Sequence, residues 1–506
     1  MTKEKVAVEV LKRIKEKNLS KQEIQKLKTR LASKYGIEIP GNEFILAQAK
    51  NRHAVLEKLQ RKPSRTLSGV SIVAVMTSPE ECPHGTCVYC PKNPKVPQSY
   101  AEKEPAVMRG MELEFDPYKQ VMTRLNQLRI IGHPTDKVEI IIMGGTFTGR
   151  DVGYQKKFVK RCFDALNGGE SRGLKEAKKG NEKAKNRCVG LTIETRPDFM
   201  GRREINRILD YGATRVELGV QNPDNIIYRK MKRGHGVKDV IEATKLLKDS
   251  GFKVCYHIMP GLPGSSLEKD MEMFREIFSN PDFRPDMLKI YPTLVCRNSE
   301  LEKMWEAEEY EPYSDKELVN LLCKVKRGLP AYVRVMRLQR DVPRQEILAG
   351  CKNSNLRQIV QEEMGRRGWE CSCVRCRETG HRKYEGEFAL KVMEYEASGG
   401  TEIFLSYENG ALAGLLRLRF PENPFRPELK GAAVIRELHV YGSEARLGEK
   451  GKVQHRGFGT RLLEKAEEIA GNREVSRVAV ISGVGVREYY RKFGYRLEGP
   501  YMCKLL

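Results

Sequence analysis

The sequence predicts an α/β protein. A parallel sheet curls into a partial or full (β/α) barrel, small helices precede it, and a second, smaller α/β domain follows it. Three observations predict this. Between residues 71 and 338, short apolar runs alternate with amphipathic stretches, the pattern of parallel strands joined by crossover helices. Beyond residue 387 the pattern becomes a strand–turn–strand meander, then a strand, a glycine-bearing loop and a helix. Before residue 70, helical periodicity carries a strong basic bias. At 506 residues with 40% hydrophobic content, the chain is long for one domain and rich enough for several cores. The expected boundaries are 1–70, 71–338, 339–386 and 387–506.

Residues 1–70 hold seventeen Lys and Arg against seven Asp and Glu. Ser20 and Glu23 form a capping box, and Leu19 with Ile24 fits a hydrophobic staple. Ile24, Leu27 and Leu31 recur at helical spacing, and Gly36 is placed to end the helix. Lys21, Lys26, Lys28 and Arg30 form the other face, suited to phosphate contacts; a solvated face would look the same. The net charge of +24 points to a polyanionic partner, usually nucleic acid. General solubility charge, or adaptation to heat or salt, is the alternative.

Strands are expected at 72–76, 138–143, 189–194, 216–221, 254–259, 288–291 and 333–336. Helices are expected at 203–211, 237–249 and 267–278, among others. Barrels of this type place their chemistry at the C-terminal ends of the strands. The notable polar residues fall there. Gly144 and Gly145 end the second strand, where a glycine pair lets a ligand approach the backbone. Glu194 and Gln221 end the next two and could bind an ammonium or ribose hydroxyls. His257 and the Met259–Gly264 turn follow, then Lys289 and Tyr291. The polar segment 168–187 reads as a surface excursion.

The first strand runs into Cys82-Pro83-His84-Gly85-Thr86-Cys87-Val88-Tyr89-Cys90-Pro91. Three thiolates bind three irons of a 4Fe–4S cube and leave the fourth iron open to an exogenous ligand, usually S-adenosylmethionine (SAM). Zinc, with His84 as fourth ligand, and buried free thiols are the alternatives. Cys371, Cys373, Cys376 and His381 match zinc's ligand set, a site that would pin two domains together. Thirteen cysteines with two tight clusters read as metal chemistry in a reducing compartment, not a disulfide scaffold. The start of the chain lacks a signal-peptide core, and no run of about 18 apolar residues appears, so a cytoplasmic protein without membrane contact is expected.

In residues 387–506 the charge is nearly balanced, 19 basic against 16 acidic. Asn409-Gly410 marks a hairpin. A strand at 434–440 follows. Gln454-His455-Arg456-Gly457-Phe458-Gly459-Thr460 then opens a helix with Leu462, Leu463, Ala466 and Ile469 on one face. Such a loop presents free N–H groups to phosphate.

Two resemblances follow from these motifs. Cys82, Cys87 and Cys90 with Gly144-Gly145 resemble the radical-SAM superfamily. Residues 437–440, Gln454-x-x-Gly457-x-Gly459 and Tyr490-Arg-Lys-Phe-Gly-Tyr495 resemble the GNAT acetyltransferase fold, in which the loop holds the coenzyme A pyrophosphate and a tyrosine lies near the thioester. One family joins both in this order: the catalytic subunit of Elongator with its stand-alone archaeal and bacterial relatives. Asp136-Lys-Val-Glu, Met143-Gly-Gly-Thr-Phe147, Glu194-Thr-Arg-Pro-Asp198, Met259-Pro-Gly-Leu-Pro-Gly264 and Lys289-Ile-Tyr-Pro-Thr-Leu294 also resemble it. The likeness covers about residues 70 to 506, and the basic N-terminus fits. The second cysteine cluster resembles the archaeal and bacterial members more than the eukaryotic ones.

The resemblance implies a radical-SAM partial barrel joined to a GNAT-type domain, and a tRNA carboxymethyluridine synthase. A 5′-deoxyadenosyl radical from SAM would take hydrogen from the methyl group of acetyl-CoA. The carbon radical would add to carbon 5 of the wobble uridine, and thioester hydrolysis would leave a carboxymethyl group. It further implies Cys82, Cys87 and Cys90 as cluster ligands. Lys137, Glu437, Leu438, His439, Val440, Phe458, Gly459, Thr460 and Tyr490 would contact acetyl-CoA, beside Gln454 and Gly457 of the loop. Lys137 and Tyr490 would be the catalytic pair, and Lys137 would act across a domain interface. Lys289 and Tyr291 are candidates to quench the intermediate or hydrolyse the thioester. A protein lysine acetyltransferase, with Glu437 as general base, and a tRNA-binding scaffold with a vestigial cluster are the competing readings. A homodimer or accessory subunits are left open.

Overall fold

A computed structural model describes residues 2–17, 19–49, 55, 58–59, 69–382, 384–441 and 457–506. The chain begins with helices Lys3–Glu16, Lys21–Lys34 and Asn42–Ala47, which pack around Val6, Val10, Ile24, Ile45 and Leu46. The Ser20–Glu23 capping box is formed in both directions. Lys28 leaves the expected basic face. It is buried and donates to Asn42 Oδ1 at 2.7 Å, because that position turns toward the third helix.

The next strands are β1 (Ser71–Met76), β2 (Lys137–Met143), β3 (Arg187–Thr195), β4 (Arg215–Gln221), β5 (Lys253–Ile258), β6 (Met287–Ile290), β7 (Val295–Cys296), β8 (Arg334–Arg337) and β9 (Ile347–Ala349). Seven of them form one parallel sheet in the order β1-β2-β3-β4-β5-β6-β8. Its edges, β1 and β8, do not pair with each other, so the barrel is partial rather than closed. Helices such as Arg202–Tyr211, Val237–Asp249 and Leu267–Ser279 cover its outer face through Ile205, Val240, Phe274 and their neighbours. The short pair β7–β9, missed in the sequence, packs Val295 beside the Cys87 loop.

Segment 168–187 lies at the surface along most of its length, as expected, but it is more than a loop. It forms the helix Leu174–Asn181, and Glu182 beyond it pairs with Arg487 at 3.1 Å and Arg491 at 2.7 Å in the last domain. Its many lysines hid the buried stripe of Leu174, Ala177 and Asn181.

The C-terminal domain adds β10 (Ala389–Glu396), β11 (Gly400–Asn409), β12 (Ala411–Pro421), β13 (Ala432–Val440), β14 (Arg477–Val480), β15 (Arg496–Glu498) and β16 (Tyr501–Leu505). They form one sheet in the order β10-β11-β12-β13-β14-β16-β15. β13 and β14 are parallel and pair only from Ala432↔Arg477 to Ile435↔Val480. Beyond that rung β13 continues alone to Val440, still paired with β12 on its other side. One edge of residues 437–440 therefore keeps free backbone hydrogen-bonding groups. The helix Phe458–Asn472 packs its Leu462, Leu463 and Ala466 face on this sheet.

The two domains meet through buried charges. Arg436 pairs with Asp286 at 2.6 Å and Glu402 at 2.8 Å, and Arg419 reaches Asp249 at 2.5 Å. Lys248 lies 3.9 Å from Asp286 and 3.7 Å from Glu402. Lys248, Asp249 and Asp286 belong to the barrel; the others belong to the second sheet. Removing one partner from such a cluster strands a charge in low dielectric, at a cost of about 3–5 kcal/mol. The contact is also tight in the backbone: a Cβ on Gly483 would sit 2.2 Å from Val189 O.

Candidate active site

A first cavity of about 160 Å³ opens at the C-terminal ends of the strands and is lined by Cys82, Cys87, Cys90, Gly145, Glu194 and Gln221, among others. The cysteine loop is anchored by its backbone. Val88 N donates to Met231 O, Leu301 N to Val88 O, and Gly85 N to Cys82 O. Around the thiols, Cys82 Sγ lies 3.7 Å from Thr146 Oγ1 and Cys90 Sγ 3.0 Å from Ser99 Oγ. His84 Nε2 sits 3.1 Å from Cys87 Sγ, and Arg233 reaches both Cys87 Sγ at 3.4 Å and the Tyr89 hydroxyl at 2.8 Å. A hydrogen bond from Cys90, with Arg233 and His84 beside it, holds the Cys87 thiol down to about 3. Burial pushes Cys82 up.

The three sulfurs fit an iron–sulfur cube better than a single zinc. One zinc at about 2.3 Å from each would draw the sulfurs within about 4 Å of one another. These three do not all lie within 4.8 Å, whereas those of Cys371, Cys373 and Cys376 do. Gly145 (φ +86°) faces the thiols: a Cβ there would stand 3.8 Å from Cys82 Sγ. Gly144 (φ +130°) turns away, and a Cβ on it would meet Thr77 Oγ1 at 2.0 Å. Gln221 also holds a positive φ of 65°, and its Oε1 is buried without a partner among the described residues.

Behind this cavity the lumen is charged. Glu194 accepts from Tyr100 at 2.7 Å and from Lys289 at 3.2 Å. Lys289 also pairs closely with Glu217, which meets His257 Nε2 at 2.8 Å. Glu194, Glu217 and His257 lie within reach of one ion, but the Lys289 ammonium already stands among them as the cation. Burial works against the Lys289 charge, yet Glu217 outweighs it and holds the ammonium well above its ordinary range. Lys289 is thus a poor proton acceptor.

A second cavity, about 520 Å³, lies at the opposite ends of the same strands, between the barrel and the open edge of β13. Lys137, Glu139, Arg215 and Lys253 reach it from the barrel. Glu437, Leu438, His439, Val440, Gly457, Phe458, Gly459, Thr460 and Tyr490 line it from the C-terminal domain. These are the residues expected around acetyl-CoA, brought together with Lys137 across the interface. Gln454 lies outside the described residues. The N–H groups that open the helix Phe458–Asn472 have no partners within the helix and suit a pyrophosphate. Glu437 is bound by Arg417 at 2.8 Å. Burial pushes its carboxyl up, but Arg417 and Lys253 outweigh this and hold it at about 2.

The connector's thiols do gather, but His381 does not join them. Its Nε2 pairs with Glu378 Oε1 at 3.0 Å. Lys326 Nζ, on a fully buried residue, stands 3.3 Å from Cys376 Sγ instead.

Several contributors escaped the sequence: Arg215, Lys253 and Ser482 in the second cavity, and Arg233 and Arg340 in the first. A signal existed for some. Lys137 and Glu139, Arg215 and Glu217, and Cys255 and His257 alternate in otherwise apolar strands, so each pair shares one face.

Family models match nearly the whole chain: the ELP3 N-terminal domain over residues 2–67, the Radical SAM superfamily over 76–277, the Radical_SAM C-terminal domain over 285–366 and the Acetyltransferase (GNAT) family over 371–495. A curated relative from Methanocaldococcus jannaschii, named tRNA uridine(34) acetyltransferase, is 50% identical over 97% of this chain and 95% of its own. The chain belongs to the Elongator protein 3 family. The Homo sapiens protein named Elongator complex protein 3 is 44% identical over 96% of this chain and 93% of its own. The solved Methanocaldococcus infernus Elp3 with its N-terminus deleted is similar at a TM-score of 0.79 and 48% identity, covering 87% of this chain and all of that one. This member is therefore an enzyme that joins a radical-SAM half-barrel to a GNAT domain. A radical-SAM domain works with SAM and a 4Fe–4S cluster, and a GNAT domain with acetyl-CoA. No helix among the described residues is long and apolar enough to cross a membrane.

Proposed function

We propose that this protein forms 5-carboxymethyluridine at the wobble uridine of tRNA, using SAM and acetyl-CoA. One observation carries the reading: β2 presents Lys137 to one cavity and Met143, with Gly145 just beyond, to the other, so one barrel serves both cofactor sites about 20 Å apart. Cys82, Cys87 and Cys90 would hold the cluster, and the Gly145 backbone, Glu194 and Gln221 would hold SAM. The bound pair would supply the radical that takes hydrogen from the acetyl methyl, a bond that resists acid–base attack. Lys137, the β13 edge and the helix at Phe458 would hold acetyl-CoA, with Tyr490 near the thioester. The basic N-terminal helices would carry the tRNA backbone, and a single-stranded anticodon base can be splayed into a pocket. The relative's name, which includes tRNA uridine(34), supports this substrate.

Protein lysine acetylation is less well supported. It needs a base for the amine, and Glu437, its candidate, is held by Arg417 far below the range in which a carboxylate accepts protons near neutral pH. Zinc on Cys371, Cys373 and Cys376 is proposed as a structural pin, with three of four tetrahedral positions supplied by the protein. The boundaries near residues 70, 338 and 386 are proposed as the domain limits, and a cytoplasmic location follows from the tRNA substrate. The deciding experiment is anaerobic product analysis of tRNA with the reconstituted enzyme, set out at the end of the Discussion.

A further inference from the structure

β13 and the residue just beyond it place Glu437, His439 and Tyr441 at alternate positions, so the three side chains share the face turned to the barrel. Two of them are tied. Glu437 is held by Arg417, and the Tyr441 hydroxyl accepts from Arg334 Nη1 at 3.0 Å. His439 is held by packing instead. Its ring lies 4.3 Å from that of Tyr441, tilted by 35°. Its Nε2 is closed off from solvent and has no hydrogen-bond partner among the described residues, and the residue lines the second cavity. Burial lowers its proton affinity; Glu437 raises it, Arg334 lowers it, Glu378 raises it and Lys253 lowers it, and the sum leaves the imidazole neutral near pH 7. Two other titratable groups on the C-terminal side of this cavity are poor bases. Glu437 is ion-paired, and burial keeps Tyr490 protonated. Lys289 and Tyr291, the earlier candidates, belong to the other end of the barrel, where Tyr291 lines the first cavity.

We propose that His439 is the general base for hydrolysis of the thioester. In the tautomer that keeps its proton on the enclosed Nε2, Nδ1 takes a proton from a water molecule in the cavity. The water oxygen attacks the thioester carbonyl carbon, the carbon–sulfur bond breaks, and the proton passes to the departing coenzyme A thiolate. This rests on acetyl-CoA being the occupant of the second cavity.

The test compares His439→Asn and His439→Ala with the wild type in the full-length enzyme with bulk tRNA. Release of coenzyme A thiol is measured, together with calorimetric binding of a thioether analogue of acetyl-CoA that cannot be hydrolysed. The expected result is a fall in turnover of about 100-fold or more, analogue binding within about threefold, and partial recovery of His439→Ala by added imidazole, which a packing role would not give. Turnover equal to wild type overturns the proposal. So does loss of analogue binding in parallel with turnover and without imidazole rescue, which makes His439 a binding residue. A wild type that does not bind the analogue overturns the acetyl-CoA assignment itself, and the proposal with it.

Discussion

Arg215 Nε lies 3.3 Å from Glu217 Oε1, and this ion pair is the wall between the two cavities. Arg215 lines the second cavity and Glu217 the first. The two residues are neighbours on one face of β4. On either side the chain of charges continues, to Glu139 at 2.5 Å from Arg215 and to Lys289 and His257 around Glu217. Joint use of the two cofactors requires this wall to part or be bypassed, since no lining residue is common to both cavities.

Replacing Arg215 by Leu leaves Glu139 with only its hydrogen bond from Thr192 and takes one cation from the fully buried Glu217. We expect a loss of about 3 kcal/mol in stability, read by denaturant unfolding. Arg215→Leu combined with Glu139→Leu is expected to recover part of it. A wild-type midpoint in the single variant would contradict the burial argument.

Lys137→Ala should separate the two sites. Loss of one charge contact to the cofactor is expected to weaken acetyl-CoA analogue binding about tenfold. Iron content and the visible absorption of the cluster should be unchanged, because the thiols lie at the other end of β2. Loss of iron in this variant would contradict the placement.

Glu437→Gln tests the acetyltransferase alternative. A general base would remove the acidic limb of the pH–rate profile. We expect that limb to stay and the protein to be less stable, since Arg417 loses its nearest carboxylate. The sign follows from linkage. The carboxyl lies at about 2 in the folded protein against an ordinary 4.5, so its contribution, on the order of 3 kcal/mol, is present above about pH 4.5 and is lost as pH falls toward 2.

The domain junction should behave likewise. Burial opposes the charges of Asp286 and Glu402, but Arg436 and Lys248 outweigh it and hold both carboxyls below their ordinary range. Their contribution is therefore full at neutral pH and declines below about pH 4. Arg436→Met should lower Tm sharply at pH 7, and its Tm should fall less than that of wild type between pH 4 and pH 2. Parallel pH curves would show that Arg436 is not what lowers these carboxyls.

Cys373→Ser should lose one equivalent of zinc by elemental analysis while the iron remains. His381→Ala should keep the zinc, because that imidazole serves Glu378.

Much of this was legible because it is local. Cysteine spacing, the Gly144-Gly145 strand end, the Asn409-Gly410 hairpin and the loop at Gly457 write their geometry into consecutive residues. The β13 edge was visible as a strand, but not the point at Ile435 and Val480 where its neighbour leaves it. What escaped is tertiary. Arg417, Arg419 and Arg436 look like surface residues of a polar strand and are fully buried only because a second domain supplies Asp249 and Asp286. Lys28 shows the same limit: its charge reads as exposure, but Asn42 on the third helix receives it in a buried place. Glu437 looked like a base until Arg417 was seen against it.

The most direct measurement is anaerobic. The protein is reconstituted with iron and sulfide, reduced, and mixed with SAM, acetyl-CoA and bulk tRNA. The tRNA is then digested and examined by mass spectrometry, with Cys87→Ala in parallel. We predict carboxymethyluridine from the wild type and none from Cys87→Ala. No modified uridine from either protein, with labelled acetyl transferred to lysine equally by both, would contradict the central claim.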